Sequence, residues 1–421
     1  MGAMKFRMFF TWFLVVFLLD LYTWQALKTI ISNPRTREII KYLHFTITAI
    51  FIGGLIAFIT IPGLETNKDF RTYFFASFFI IYFSKLIVVL FLFIDDIIRF
   101  FRWIAGQASN SFSGDKNITG AGVETNKISR LKFLSQAGII LGGIPLVMLT
   151  KGLIKGAYDY QVHNIKLKLD NLPEAFKGFR ILQISDIHSG SWNNKTKVEA
   201  GIEMINAQQA DLVVFTGDLV NNQTDEVYPW IDTLKKIESK MGVYSILGNH
   251  DYGDYRQWNN PEEKKQNMLD MYRVHKEMGW KLMRDEHVLL EKQGEKIGLI
   301  GVENWGAGTY WPKYGNLEKA LEGMPQVPIK ILLSHDPTHW DAKVRPNHPD
   351  INLTLSGHTH GFQFGIEWKN FRWSPSKYIF KQWADLYTET QQYLYVNRGF
   401  GFLGFPGRVG ILPEITVIEL T

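Results

Sequence analysis

The sequence predicts an N-terminal multi-span α-helical membrane region followed by a C-terminal α/β domain. Long apolar runs dominate the first third of the 421 residues, whereas the remainder mixes apolar and polar residues as ordinary globular proteins do. From about residue 156, short apolar strands alternate with helical stretches near 195–208, 226–240 and 261–278. Such alternation is typical of βαβ units, in which ligands bind beyond the carboxyl ends of the strands. We therefore expect the α/β domain to occupy residues 156–421.

The membrane region contains four apolar stretches, each near the length of about 20 residues that crosses a bilayer. They cover residues 8–27, 43–64, 72–94 and 133–150. We assign three transmembrane helices to residues 1–104, and a fourth helix or signal-anchor-like segment to residues 129–155. Residues 105–128 are rich in Gly, Ser and Asn, so they are predicted to form a polar flexible loop.

The net charge of +5 would suggest an affinity for nucleic acid, but its distribution argues against this. Residues 1–155 carry 17 Lys and Arg against 8 Asp and Glu, whereas residues 156–421 carry 29 against 33. The basic excess belongs to the membrane region, so no nucleic-acid partner is expected. The chain has no cysteine, which excludes disulfides and thiolate metal sites.

Basic residues near the ends of the apolar stretches predict the orientation of the chain, because loops rich in Lys and Arg face the cytoplasm. If the loops after the first and third stretches face inward, nine basic residues lie inside and six lie outside. The segment SRLKFLSQAG (129–138) also resembles a twin-arginine export signal in which Leu131 replaces the second arginine. Both observations favour an outside N-terminus and an outside C-terminal domain.

Two charged residues, Asp20 and Lys85, lie within the first and third apolar stretches. Each is roughly a dozen residues from the start of its helix, and those two helices run parallel, so the charges have similar depths. A charge at that depth is costly unless it is paired or hydrated. We predict that Asp20 and Lys85 form a pair between helices; the alternative is that each reaches the interface or lines a polar cavity.

Five apolar strands in the C-terminal domain end in polar groups that bind metals. The strand segments are FRILQISD (179–186), ADLVVFTGD (210–218), GVYSILGNHD (242–251), IKILLSHD (329–336) and INLTLSGHTH (351–360). In the last of these, His358 and His360 point the same way if the segment is extended, because alternate side chains share a face. Taken alone, that pair is more typical of two solvated histidines in a loop than of a metal site.

The strand ends together supply too many ligands for one tetrahedral ion. The candidate metal ligands are Asp186, His188, Asp218, Asn249, His335, His358 and His360. Such a set suits two ions of higher coordination number that share a carboxylate, because the two oxygens of Asp can serve two cations. Mixed nitrogen and oxygen ligands favour Mn, Fe, Zn or Co over Ca or Mg.

The five polar blocks, taken in order, resemble the pattern of the calcineurin-like metallophosphoesterases. They read DIH (186–188), GD (217–218), GNHD (248–251), SHDP (334–337) and GHTH (357–360). The resemblance covers residues 160–421, and segments 170–188 and 393–420 resemble a membrane-linked bacterial subgroup of that family. It implies a four-layer α-β-β-α sandwich and two divalent metal ions.

The resemblance also implies roles for individual residues. The first metal would be held by Asp186, His188, Asp218 and His360, and the second by Asp218, Asn249, His335 and His358. A metal-bridging hydroxide would attack phosphorus, and His250 would protonate the leaving oxygen or stabilise the phosphoryl oxygens. Asp251 would orient His250.

Three further residues are expected to contact substrate. Arg398 and Arg408 occupy loops near the expected site, where we predict contacts with a phosphate; a solvated loop arginine is the alternative for each. The subgroup often carries GHTHGGQ, but this chain has GHTHGFQ, so Phe362 is expected to narrow the mouth of the site. Aromatic-rich segments at 303–315 and 366–375 suggest an amphiphilic substrate at a bilayer surface; ordinary packing of aromatic loops explains them equally well.

The sequence thus predicts a multi-pass protein of the bacterial inner membrane, with a phosphohydrolase domain on the periplasmic face. Its expected partners are membrane lipid and a phosphorylated small-molecule or lipid-linked substrate, cleaved at a phosphodiester, pyrophosphate or phosphomonoester bond. One alternative is a pyrophosphate hydrolase of the UDP-diacylglucosamine type in lipid A synthesis, which needs the opposite topology. Another is a catalytically silent metal-binding scaffold or envelope sensor. The sequence leaves the oligomeric state open.

Overall fold

The fold is described from a computed structural model, which covers residues 2–112, 130–308, 312–369 and 371–421. The chain divides into two compact units, Met1–Thr150 and Lys151–Thr421. Residues 113–128 of the predicted polar loop lie outside the described residues, as do residues 309–311 and 370 in the two aromatic-rich segments.

Four long helices form the N-terminal part: α1 (Gly2–Ile30), α2 (Pro34–Thr60), α3 (Lys68–Phe112) and α4 (Arg130–Ile154). Each is long and apolar enough to cross a membrane, as the sequence predicted. Helix α2 begins where the Asn33 side chain accepts a hydrogen bond from the Thr36 amide at 3.1 Å, with Pro34 at the first helical position. Helix α3 continues to Phe112, so residues 105–112 are helical where a loop was expected.

The charged pair predicted between two of these helices is confirmed. Asp20 of α1 is fully buried and forms an ion pair with Lys85 of α3. Its second carboxylate oxygen accepts hydrogen bonds from Thr48 at 2.6 Å and from Tyr82 at 3.2 Å. The carboxylate therefore finds partners on α2 and α3, as a buried charge requires.

The C-terminal unit contains fourteen strands among its described residues. They are β1 (Gln161–Leu167), β2 (Arg180–Ile184), β3 (Leu212–Phe215), β4 (Val243–Ser245), β5 (Lys281–Leu282), β6 (Glu286–Lys292), β7 (Glu295–Gly301), β8 (Lys330–Leu333), β9 (Leu353–Ser356), β10 (Ile366–Trp368), β11 (Phe371–Trp373), β12 (Asp385–Glu389), β13 (Gln392–Val396) and β14 (Glu414–Leu420). Five helices accompany them: α5 (Lys195–Ala207), α6 (Ile231–Leu234), α7 (Pro261–Glu277), α8 (Leu317–Leu321) and α9 (Arg345–Asn347).

Twelve of the strands form two six-stranded sheets. The first sheet has the order β1-β14-β2-β3-β4-β5, and the second has the order β12-β13-β9-β8-β7-β6. Strands β2, β3 and β4 are parallel neighbours, as are β7, β8 and β9. The carboxyl ends of parallel neighbours lie at one edge of a sheet, so the polar loops that follow them lie close together.

The two sheets pack face to face and are covered by helices on their outer faces. Leu212 and Val214 of β3 share a buried cluster with Ile331 and Leu353 of the second sheet. Val213, which lies between them, faces the opposite way and packs among residues of α5 and α7. Residues of α8 cover the outer face of the second sheet. The predicted four-layer sandwich is therefore confirmed.

The predicted helical stretch at 226–240 is mostly wrong. Residues Thr224–Trp230 form a 3₁₀ helix, and only the single turn of α6 follows it. Pro229 lies inside the 3₁₀ segment, and because proline has no backbone N–H it disfavours a longer α-helix there.

Candidate metal centre

The predicted metal ligands converge between the two sheets. They lie in the loops that directly follow β2, β3, β4, β8 and β9, at the carboxyl ends of these strands. The first sheet contributes Asp186, His188, Asp218 and Asn249, and the second contributes His335, His358 and His360. The structure therefore brings together all seven residues.

One group of ligand atoms surrounds a point beside Asp186. The Nε2 atom of His360 lies 3.1 Å from the Oδ1 atom of Asp186 and 3.0 Å from the Nε2 atom of His188. The Nε2 atom of His188 also lies 3.6 Å from the Oδ2 atom of Asp218. These are the four residues that the family resemblance implies as ligands of the first metal.

A second group shares the same oxygen of Asp218. The Oδ2 atom of Asp218 lies 3.1 Å from the Nε2 atom of His335. The Oδ1 atom of Asn249 lies 3.1 Å from that nitrogen and 2.8 Å from the Nδ1 atom of His358. Two ligands that meet at right angles, each about 2.1 Å from one ion, stand about 3 Å apart, so both donor sets fit a divalent cation.

Five of the seven ligands have left-handed backbone conformations, although none of them is glycine. Asp186, His188, Asp218, His358 and His360 have φ angles between 46° and 74°. A residue with a side chain pays about 1–3 kcal/mol for such a conformation. Backbone strain is therefore concentrated at the residues that direct ligand atoms to the centre.

Burial and mutual charge shift the pKa values of the ligands. Burial, followed by the charge on His360, lowers the pKa of His188 to about 3. For His335, burial acts in the same direction, but the charge of Asp218 and its hydrogen bond to His335 outweigh it and raise the pKa to about 10. Burial opposes ionisation of Asp218, but neighbouring histidines, His335 first, hold its pKa well below the usual range. A cation that binds His335 therefore displaces a proton.

His250 stands at the edge of the two ligand groups. Its Nδ1 atom donates a hydrogen bond to the backbone carbonyl of Asn221 at 2.6 Å, which leaves the Nε2 atom for proton transfer. Its backbone N–H donates to the Oδ1 atom of Asp218 at 2.8 Å, and its ring lies 4.9 Å from that of His188. His250 is thus tied to the carboxylate of Asp218, which lies near both ligand groups, and its ring packs against His188.

Asp251 does not orient His250, contrary to expectation. Its buried carboxylate accepts hydrogen bonds from the backbone amides of Asp218 at 2.9 Å, Leu219 at 2.7 Å, Val220 at 3.2 Å and Gly248 at 2.9 Å. Asp251 therefore joins the loops after β3 and β4, and through them fixes the positions of Asp218 and Asn249.

Comparison with known proteins identifies the family. Residues 179–362 match the family described as calcineurin-like phosphoesterase. The uncharacterized metallophosphoesterase YkuE of Bacillus subtilis (strain 168) is 30% identical over 315 residues, which cover 70% of this chain and 98% of that protein. The chain belongs to the calcineurin-like phosphoesterase family.

Further comparisons extend the similarity of this calcineurin-like phosphoesterase to its membrane region, to a relative and to a solved structure. Residues 6–157 match the family described as probable calcineurin-like phosphoesterase, transmembrane domain. A transmembrane protein with metallophosphoesterase domain from Danio rerio is 30% identical over 286 residues, 66% of this chain. The match spans 61% of the length of that relative. A solved structure, the phosphopantetheinyl hydrolase PptH of Mycobacterium tuberculosis, shares 16% identity at a TM-score of 0.31, over 47% of this chain and 89% of that chain.

The two predicted substrate arginines of this calcineurin-like phosphoesterase have other contacts. Arg398 is 2% exposed and pairs with Glu414 at 2.6 Å, with Glu367 at 2.7 Å and with Asp385 at 3.4 Å. Arg408 is also buried, and its Nε atom donates to the carbonyl of Gly401 at 2.8 Å. The three carboxylates paired with Arg398 contradict its predicted contact with a phosphate, whereas the predicted phosphate contact of Arg408 stays a prediction.

Arg408 and Phe362 nevertheless lie close to the centre. The Nη2 atom of Arg408 is 3.2 Å from the Nδ1 atom of His360, on the ring edge opposite to the ligand atom. Phe362 follows His360 by two residues and is 46% exposed. The prediction that Phe362 shapes the mouth of the site thus stays a prediction.

Sequence reasoning missed two residues that hold the ligands in place. The Tyr255 hydroxyl accepts a hydrogen bond from the Nδ2 atom of Asn249 at 2.6 Å, and its ring stacks on His250 at 4.2 Å. The Oδ1 atom of Asn221 lies 3.1 Å from the Nδ1 atom of His188. Neither residue belongs to a polar block at a strand end, so the sequence carries no signal for these roles.

Proposed function

We propose that this protein is a membrane-bound phosphohydrolase that uses two divalent metal ions. The observation that carries the proposal is the position of the Oδ2 atom of Asp218, which faces both His188 of the first ligand group and His335 of the second. The nitrogen and oxygen donors suit Mn, Fe, Zn or Co. When bound, two such ions supply an activated water and neutralise charge on the phosphoryl oxygens.

The side chains around the ligands supply the remaining chemistry. The backbone carbonyl of Asn221 fixes the proton of His250 on Nδ1, so the Nε2 atom is the one that transfers a proton. We assign His250 as the general acid that protonates the leaving oxygen. Phe362, half exposed beside His360, borders the route by which substrate enters.

A phosphodiester or pyrophosphate in a lipid-linked or envelope molecule is the proposed substrate class. Apolar rings lie near the ligands: Phe380 is 5.4 Å from the ring of His358, and the exposed Phe362 follows His360 by two residues. These rings favour a substrate with an apolar part beside its phosphate.

The proposed location is the bacterial inner membrane, with the catalytic unit on its periplasmic face. The proposal is supported by the nine basic residues in loops assigned to the inside against six outside, and by the segment that resembles an export signal. A reporter enzyme that is active only in the periplasm, fused to the C-terminus, tests it. Activity of that fusion is expected; activity of only a cytoplasmic reporter would reverse the orientation.

Turnover by the full chain, purified in detergent, tests the proposed chemistry. The assay compares bis-(p-nitrophenyl) phosphate with p-nitrophenyl phosphate in the presence of Mn²⁺. Asp218→Ala is expected to abolish turnover, because it removes a ligand of both ions. His287→Ala is the matched control for His250→Ala, since His287 also donates from Nδ1 to a backbone carbonyl, at 2.8 Å, but lies away from the centre.

The leaving group distinguishes a general acid from a residue that merely shapes the site. His250→Ala is expected to lower turnover of an alkyl phosphodiester by about 100-fold or more, the scale of general acid catalysis. The loss on the p-nitrophenyl diester is expected to be smaller, because that leaving oxygen needs little protonation. Equal losses on both substrates would argue against the proposed role of His250, and absence of metal-dependent turnover would overturn the proposed function.

A further inference from the structure

A small β-hairpin next to the metal centre exposes apolar side chains on one face. Strands β10 and β11 form a separate two-stranded antiparallel sheet. Ile366 pairs with Trp373 and Trp368 pairs with Phe371, so these four side chains share one face. Glu367 pairs with Arg372, and both face the opposite side.

The hairpin is amphipathic, but its polar face points inward. Glu367 accepts hydrogen bonds from buried Arg398 at 2.7 and 2.9 Å, and Arg372 pairs with Asp385 at 2.6 Å. Arg398 is bound in turn to Glu414, which is fully buried. The ion pairs hold the polar side of the hairpin against the domain. The side that carries the apolar residues is therefore left outside.

The exposed face is unusual for this unit. Ile366 is 47% exposed, Trp368 70% and Phe371 55%, and in the segment that follows Tyr378 is 72% and Ile379 66% exposed. We call these five residues the apolar face. Among the described residues of the C-terminal unit, the large apolar side chains with comparable exposure elsewhere are Ile154, at the end of α4, and the scattered residues Tyr228, Leu269 and Phe362. Exposed apolar surface is therefore concentrated beside the GHTH segment, and such a patch marks an interaction site.

The composition of the patch favours lipid as its partner. Trp and Tyr are the residues preferred at the boundary between headgroups and acyl chains, and basic residues there attract anionic lipids. Lys369 lies over the ring of Trp368 at 5.4 Å, and Lys377 over the ring of Tyr378 at 5.4 Å. The same chain carries four helices able to cross a membrane, so the protein is attached to a bilayer.

We infer that the apolar face docks on the bilayer surface and thereby presents lipid-borne phosphoesters to the metal centre. The second part of this inference rests on the proposed function; the docking itself does not. Phe380 follows directly after Ile379 and packs against His358, so apolar surface continues from the docked face to a metal ligand. A substrate whose acyl or prenyl tail stays in the membrane can reach the centre along this path.

Site-specific labelling tests the docking without any need for turnover. Because the natural chain has no cysteine, a single introduced cysteine accepts one fluorophore. Trp368→Cys is compared with Leu269→Cys, a residue of α7 that is 49% exposed and lies outside the apolar face. Each full-length variant carries an environment-sensitive label and is reconstituted into vesicles of phosphatidylcholine and phosphatidylglycerol.

Quenchers fixed on the acyl chains are expected to reach the label at position 368 but not the label at position 269. The expected depth is about 5–10 Å into the boundary between headgroups and acyl chains, as for other interfacial elements. Iodide in the water phase is expected to quench position 269 more strongly than position 368. Equal quenching by iodide at both positions, with no acyl-chain quenching at position 368, would overturn the docking.

The same labels separate lipid from protein partners. If position 368 is protected only in native membranes, and not in vesicles of the purified chain, a protein covers the face and the inference is wrong. Protection that disappears when the protein is diluted in excess lipid would indicate a second copy of this chain, which also overturns it.

A rate comparison tests the second part of the inference. For each variant, the turnover of a vesicle-borne phosphodiester is divided by the turnover of a soluble diester. This ratio is expected to be severalfold lower for the double variant Trp368→Ser/Phe371→Ser than for the Leu269→Ser control. An equal loss on both substrates would overturn the delivery of lipid substrate. If acyl-chain quenching is seen but no variant turns over any phosphoester, the proposed function fails and the docking stands.

Discussion

Tyr255 fixes the orientation of Asn249. Its hydroxyl accepts a hydrogen bond from the Nδ2 atom of Asn249 at 2.6 Å, so the amide oxygen is turned toward His335 and His358. An asparagine that faced the other way would present N–H donors to a cation. Tyr255 is therefore not a metal ligand itself, but it orients Asn249, which is a ligand of the second metal site.

We predict that Tyr255→Phe weakens the binding of the second metal ion about tenfold, the lower end of the range for residues that orient metal ligands. Stacking on His250 is retained, so turnover at saturating metal is expected to fall far less. Titration of turnover with Mn²⁺ measures both effects. Tyr314→Phe is the matched control, because the Tyr314 hydroxyl donates to Asp254 at 2.8 Å and to no metal ligand. Equal metal dependence in the two variants would contradict the role of Tyr255.

Asp251→Asn is predicted to lower both stability and metal content. The carboxylate accepts four backbone N–H groups through two oxygens, whereas an amide has one oxygen and adds two donors. Each buried donor left without a partner costs about 1–3 kcal/mol. Urea unfolding and the number of bound Mn²⁺ ions check this.

The control for that variant is Asp211→Asn. In the natural chain the carboxylate of Asp211 is partly exposed and accepts one backbone hydrogen bond, from the amide of Arg180 at 2.9 Å. A smaller loss of stability and no loss of metal are expected there. If the two variants lost the same stability and both kept their metal, Asp251 would be an ordinary buried carboxylate.

Glu414 links the stability of the C-terminal unit to pH. Burial opposes ionisation of this carboxyl, but the charge of Arg398 outweighs it and lowers the pKa of Glu414 to about 2. A group whose pKa is lower in the folded state stabilises the fold above its unfolded pKa of about 4.3, and this contribution is lost as the pH falls toward the folded pKa.

Glu414→Gln is therefore expected to be less stable than the natural protein at pH 7, by roughly 3 kcal/mol for a shift of this size. The difference is predicted to shrink as the pH falls from about 4.3, the reference value for an unfolded chain, to about 2, because over this range the unfolded chain binds a proton on Glu414 and the folded chain does not. Unfolding in urea at several pH values measures it. A difference that stayed constant with pH would mean that folding does not lower the pKa of Glu414.

The metal centre was predictable from sequence because each ligand follows a strand that is recognisable by itself. Asp186, Asp218 and His335 each end a short apolar run, and parallel strands bring such ends together whatever their separation in the chain. The four membrane helices were predictable for a similar reason, since length and apolar composition are local properties.

The hairpin and its arginine were not predictable in this way. The alternation in β10 and β11 separates an apolar face from a polar one, but alternation alone does not say which face is buried. The choice depends on Arg398 and Glu414, which follow the hairpin by tens of residues and become partners only in the folded domain. The carboxylates that pair with Arg398 are far from it in the chain, which is why Arg398 was predicted to contact a phosphate instead.

The buried pair in the N-terminal unit yields a prediction that separates charge from packing. Lys85→Leu leaves the carboxylate of Asp20 buried with Thr48 and Tyr82 as hydrogen-bond donors and the Nε2 atom of His44 3.5 Å away. Breaking a buried pair on one side costs on the order of 3 kcal/mol. Thermal unfolding of the full chain in detergent is expected to show a lower midpoint. The double variant Asp20→Asn/Lys85→Leu is expected to recover most of the loss, because an amide oxygen accepts from both hydroxyls and no charge remains. If the double variant were as unstable as Lys85→Leu alone, the lysine would stabilise the protein by its packing and not by its charge. If Lys85→Leu unfolded at the same temperature as the natural chain, the ion pair would contribute nothing to stability.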